Sequence, residues 1–129
     1  MTNPVIAYIR ATTHLTDSLV AAYVAAQQVQ LDRDFAKYWQ GSATCLFVPG
    51  GHTIPPGAWQ CWLLDNSDQA NALGYHDLTA DGLPLLKVFV GDVIRDGLSW
   101  TVTASHETIE ALGDPLRTKT AQAGNVEYA

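Results

Sequence analysis

The feature that most constrains the fold is a long helix predicted between the first two strands. Residues 5–10 and 43–48 are short apolar runs with β-branched residues, which predicts a strand for each. Thr16 can cap the helix between them, which we expect to run to about Trp39 and to end at Gly41. Because so long a helix separates the two strands, they are expected to be parallel and joined by a right-handed crossover.

The elements downstream complete an α/β (α+β) domain. Further strands are predicted at residues 58–64, 72–76 and 85–90. Residues 91–97 are expected to form a loop, and a last helix is expected from near Ser99 to Gly113, since Pro115 forbids its continuation. The order β-α-β-β-β-β-α predicts a mixed five-stranded sheet on which the last helix packs.

Composition narrows the class of protein. The 129 residues are 47% hydrophobic, which suits one domain with a core. Thirteen acidic against seven basic residues give a net charge of −6, which argues against nucleic acid or an anionic membrane as partner. No apolar run could span a bilayer, the first residues do not resemble a signal peptide, and Cys45 and Cys61 indicate buried thiols. A cytoplasmic location is therefore expected.

The residues that carry chemistry lie on the last predicted helix. A stripe expected to face the core is formed by Val102, Ser105, Ile109 and Leu112. His106 and Glu110 are one helical turn apart, and Glu107 lies at the edge of the same polar face. We therefore expect these three side chains to share one exposed surface.

This arrangement suits a metal ion, with Zn²⁺ first and another divalent transition metal second. An imidazole of His106 and a carboxylate of Glu110 can be directed at one ion. Zinc lowers the pKa of a bound water to about 7, and Glu107 can then act as the general base.

A catalytic zinc site also needs a third protein ligand, for which Asp114 is the first candidate. In a straight helix its rise from the histidine is roughly 12 Å, so we expect Gly113 to adopt a left-handed turn that brings Asp114 back. His76, Asp92 and Glu127 remain rival ligands on the sequence alone.

His106-Glu107-x-x-Glu110-x-x-Gly113-Asp114 resembles the active-site helix of zincin metallopeptidases, with Glu110 in place of the second histidine. The chain is more closely similar to uncharacterised zincin-like proteins of phages and bacterial prophages. The likeness covers residues 5–115, and the segments that carry it are residues 28–36, 72–77, 87–90 and 105–115.

The resemblance implies one zincin-like domain over residues 1–129, with an upper subdomain at 1–113 and a very short C-terminal segment at 114–129. It implies a small zinc-dependent metallopeptidase in which the edge strand at 72–76 holds a peptide or protein substrate.

An alternative is a catalytically inactive zincin-like protein with a binding or structural role. A carboxylate at Glu110 makes zinc a weaker Lewis acid than a histidine would. The short segment after Asp114 also supplies little of the lower wall that peptidases of this fold place there. A third possibility is a fold that binds metal without catalysis.

Overall fold

A computed structural model of the chain describes residues 3–35, 42–67 and 74–114, apart from the side chains of residues 35, 75 and 76. The strands are β1 (Val5–Ala11), β2 (Thr44–Val48), β3 (Trp59–Leu64), β4 (Gly74–Leu78) and β5 (Pro84–Phe89). The helices are α1 (Asp17–Gln30), α2 (Val90–Arg95) and α3 (Trp100–Gly113).

The strands form one sheet in the order β2-β1-β3-β5-β4. β1 pairs in parallel with both β2 and β3, and β3 pairs in parallel with β5. β4 lies at one edge and is antiparallel to β5. The predicted mixed five-stranded sheet is confirmed, as is the parallel pairing of the first two strands.

The crossover helix α1 begins as predicted and ties β2 to the rest of the sheet. Thr16 Oγ1 accepts a hydrogen bond from Leu19 N at 3.2 Å. Near the other end, Gln28 Oε1 accepts from Cys45 N at 2.6 Å, and its Nε2 donates to Ala43 O at 2.8 Å. α1 is followed by a π-helical segment, Leu31–Phe35. The predicted continuation to Trp39 and the stop at Gly41 lie outside the described residues.

The prediction of a loop at residues 91–97 is wrong, because α2 occupies Val90–Arg95. Val90 and Val93 are fully buried, and this burial stabilises a helix too short to show a clear period in the sequence. The glycine at position 91 also made this helix harder to predict from the sequence. A Cβ at Gly91 would collide with the carbonyl oxygen of Asp65, so only glycine allows this approach.

Both long helices pack on the same face of the sheet, since buried residues of both belong to one core cluster with alternate residues of the strands. The main core on that face includes Ile6, Tyr8, Val24, Leu63, Leu86, Val88, Ala104 and Ala111. The opposite face has a smaller cluster of Ala7, Ile9, Val48 and Ala58, with Ile54 and Trp62 packed against it. Within the described ranges, no helix has the length and apolar character needed to cross a membrane.

Candidate metal centre and the adjoining cleft

Helix α3 carries the candidate site and packs on β4 and β5. Ser99 Oγ accepts from Val102 N at 3.4 Å, which caps its first turn. The residues it buries are Thr103, Ala104, Glu107, Thr108 and Ala111. The predicted core stripe is therefore wrong in part: Val102 is 67% exposed and Ser105 is half-buried, whereas Ile109 and Leu112, also half-buried, pack against the main core. Small side chains such as Ala104 and Ala111 let the helix approach the sheet more closely than Val102 would.

A buried hydrogen bond fixes this rotation of the helix. Thr108 Oγ1 donates to Ala104 O at 2.8 Å, so the hydroxyl of Tyr8 donates to Thr108 Oγ1, also at 2.8 Å. The ring of Tyr8 packs edge-on against Tyr23, which packs in the same way against Trp100. Burial raises the pKa of Tyr8 well above its usual value, so the phenol stays protonated and remains a donor.

Glu107 does not lie on the exposed face where the sequence placed it, because its side chain is fully buried. A Cβ added to Gly74 would be 3.3 Å from Glu107 Cγ, so Glu107 packs against the edge strand β4. Burial, and next the negative charge of Glu107, raise the pKa of the Cys61 thiol on β3. The carboxylate therefore lies within the helix–sheet interface.

His106 and Glu110 do converge. His106 Nε2 and Glu110 Oε1 are 3.1 Å apart, and the two side chains are 43% and 32% exposed. Zinc ligands at 2.0–2.2 Å in a tetrahedral arrangement lie about 3.3–3.6 Å from each other, so the two atoms would have to separate by a few tenths of an ångström to hold zinc. The observed separation of 3.1 Å suits a hydrogen-bonded ion pair.

The third ligand is not brought to this pair. In the part of the chain that the structure describes, no group of three His, Cys, Asp or Glu side chains is placed to hold a metal ion. The expected left-handed turn at Gly113 is wrong, because Gly113 is the last residue of α3 and is absent from the described glycines with positive φ. Asp114 instead caps the helix and donates its backbone N–H to Glu110 O at 2.8 Å.

The three alternative candidates for the third metal ligand lie in different parts of the chain. Asp92 lies on α2, where its side chain pairs with Arg95 at 2.7 Å and accepts from Ser67 N at 2.7 Å. His76 lies on the edge strand β4, paired in register with Leu86, and its side chain is outside the described part of the structure. Glu127 also lies outside the described residues.

A cleft beside His106 was not predicted from the sequence. It has a volume of about 370 Å³ and lies between the end of α1 and the outer side of α3. The residues lining it are Gln30, Thr101, Val102, Ser105, His106 and Ile109. The sequence signals available for it were two polar residues, Gln27 on α1 and Ser105 on α3. Gln27 bonds to near neighbours on its own helix, but Ser105 bonds to Gln30, which lies 75 residues away.

Comparisons of the chain with protein-family models, with curated proteins and with solved structures find no match. Its possible function is therefore argued from its own residues.

Proposed function

We propose that the protein is a zinc-dependent hydrolase of the zincin type, with a peptide as substrate. The observation that carries the proposal is the convergence of His106 Nε2 and Glu110 Oε1 to 3.1 Å, beside the acidic residue Glu107. The antiparallel edge strand β4, packed against α3 through Gly74, agrees with what the zincin resemblance implies.

In this proposal His106 and Glu110 would hold the ion, and Asp114 would join them as third ligand only after leaving the capping position that it has at the end of α3. A bound zinc ion would supply a water whose pKa is near neutrality. Glu107 would accept the proton from that water and pass it to the leaving amine. The surrounding interface orients the Glu107 side chain and keeps bulk water away from it, which strengthens its electrostatic interactions.

The proposal is tested by loading the full chain with zinc and measuring bound metal and peptide hydrolysis together. We expect about one zinc per chain, lost in His106→Ala and in Glu110→Ala. Glu107→Gln should retain zinc and lose turnover by two or more orders of magnitude, because general-base catalysis contributes roughly 10²–10⁴-fold. His52→Ala, which alters another exposed histidine, is the matched control and should change neither quantity.

One observation favours the alternative of a catalytically inactive, zincin-like binding protein. Glu107 is fully buried, whereas a general base must come within hydrogen-bond reach of the attacking water. The same experiment separates the two functions. Zinc binding without hydrolysis of any member of a degenerate peptide mixture would favour the inactive metal-binding protein, and the absence of bound zinc would contradict the metal site itself.

A further inference from the structure

We infer that the cleft beside His106 binds an uncharged aliphatic residue of the peptide substrate, and that Gln30 recognises the backbone carbonyl of that residue. The inference rests on the proposed function, because it names a substrate class for the same site. Three observations carry it: the lining of the cleft, the fixed orientation of Gln30, and the exposure of Val102 next to the histidine.

The lining selects against a charged side chain. Apart from His106, the described residues that line the cleft are uncharged, with Val102 and Ile109 as its apolar part. A charged substrate side chain would lose hydration there and gain no opposite charge among them. The volume of about 370 Å³ lies at the low end of small-ligand sites. It therefore suits a single residue better than a longer segment.

A chain of hydrogen bonds that begins in the core fixes Gln30. The hydroxyl of Tyr23 donates to Gln27 Oε1 at 2.8 Å, and Gln27 Nε2 donates to Gln30 Oε1 at 2.7 Å. Ser105 Oγ donates to the same Gln30 oxygen at 2.9 Å. Tyr23 and Gln27 are both buried, so the chain is anchored in the core. Gln30 Oε1 is thereby saturated, and the amide is held in one orientation.

The other end of that amide is a hydrogen-bond donor at the cleft. Gln30 Nε2 carries two N–H groups, and among the described residues neither donates to an acceptor. A peptide carbonyl is the uncharged acceptor that a peptide substrate offers at every residue. Gln30 can therefore hold the backbone while the neighbouring side chain rests against Val102, one turn before His106.

The first test removes the donor. Gln30→Glu keeps an oxygen for Gln27 and Ser105, replaces the N–H groups by a second oxygen and adds a negative charge. The substrate is the fastest-cleaved member of a degenerate octapeptide mixture. We expect its KM to rise roughly tenfold, which corresponds to the loss of one hydrogen bond, with little change in kcat. An unchanged KM would contradict the role of Gln30.

The second test closes the cleft. Val102→Trp should raise KM and weaken the preference for aliphatic residues, because the indole would fill the apolar part. Val29→Trp is the matched control: Val29 is 54% exposed, lies on α1 outside the cleft, and should change neither. Equal kinetics for the wild type and Val102→Trp would overturn the inference.

Binding is measured separately from turnover, so that failure of the cleft and failure of the proposed function can be told apart. N-acetyl-valine methylamide is titrated into the ¹⁵N-labelled chain, and we expect amide shifts at Ser105, His106 and Gln30 that are lost in Val102→Trp. Such shifts without any hydrolysis would support the cleft and contradict the hydrolase. Hydrolysis with no shifts at the cleft would contradict the cleft alone.

Discussion

Glu107 occupies a position where the helix otherwise buries Ala and Thr side chains. Burying a carboxylate costs free energy, because its hydration is lost. A residue that breaks the local rule for a core position is typical of a functional site. The burial of Glu107 therefore indicates a functional role for this residue. The convergence of its neighbours His106 and Glu110 points to the same site.

The two thiols are expected to make stability depend on pH. Burial raises the pKa of the Cys45 thiol to about 11 and raises that of Cys61 further. In the unfolded chain a thiol titrates at about 8.5. The fold therefore favours the protonated thiol: its contribution to stability is complete below about pH 8.5 and is lost as pH rises through the folded pKa.

We predict that the free energy of unfolding in urea falls between pH 8.5 and 11. For the Cys45→Ala variant the free energy of unfolding should fall less steeply over this range, because one of the two titrating thiols has been removed. Equal slopes for the wild type and the variant would contradict the assigned pKa of Cys45. Below pH 8, alkylation of the native chain should also be slow compared with the urea-unfolded chain, since the thiolate is the reactive form.

At the scale of elements, the contact between β4 and α3 is as close as glycine permits. A Cβ on Gly74 would lie 3.0 Å from the carbonyl oxygen of Lys87, 3.2 Å from Thr103 Cγ2 and 3.3 Å from Glu107 Cγ. The first of these atoms belongs to the backbone and cannot easily move. Gly74 therefore lets the edge strand lie directly against the helix that carries the candidate site.

Gly74→Ala should destabilise the fold by about 1–3 kcal/mol, because it overpacks this contact. Gly50→Ala is the matched control: its Cβ would have only Arg10 O nearby, at 3.8 Å, so its effect should be small. Adding Thr103→Ser to Gly74→Ala removes one of the obstructing atoms and should restore part of the loss. The free energy of unfolding in urea is measured for the wild type, the two glycine variants and the double variant. Equal values for Gly74→Ala and Gly50→Ala would contradict the close packing at Gly74.

The strands, the starts of both long helices and the end of α3 follow from local signals, whereas the orientation of the last helix does not. The cap at Thr16 and the start of the last helix near Ser99 were visible in the sequence. The inward face of α3 depends instead on Tyr8, which bonds Thr108 from a strand far away in sequence. Hydrophobicity alone favoured the stripe containing Val102, and so it placed Glu107 on the wrong face.

The candidate site also has one part that local sequence signals predict and another part that they do not. The convergence of His106 and Glu110 follows from helical geometry, because residues four apart are neighbours on any helix. The Gln30–Ser105 bond joins α1 to α3, so its partners could not be paired from spacing alone. The third metal ligand also depends on the path of the chain after α3, which the expected turn at Gly113 did not describe.

At the scale of the whole molecule, the sheet presents both long helices on one face and its antiparallel strand at one edge. The candidate metal pair, the buried acid and the cleft are thereby gathered around a single helix, α3. Their joint function depends on one claim, that a divalent ion binds between His106 and Glu110.

Crystals grown with zinc and measured at the zinc absorption edge test that claim most directly. We predict an anomalous-difference peak within about 2.0–2.2 Å of both His106 Nε2 and Glu110 Oε1, and its ligand set would identify the third residue. No peak at this position, with the two side chains still hydrogen-bonded to each other, would contradict the metal site and the proposed hydrolase with it.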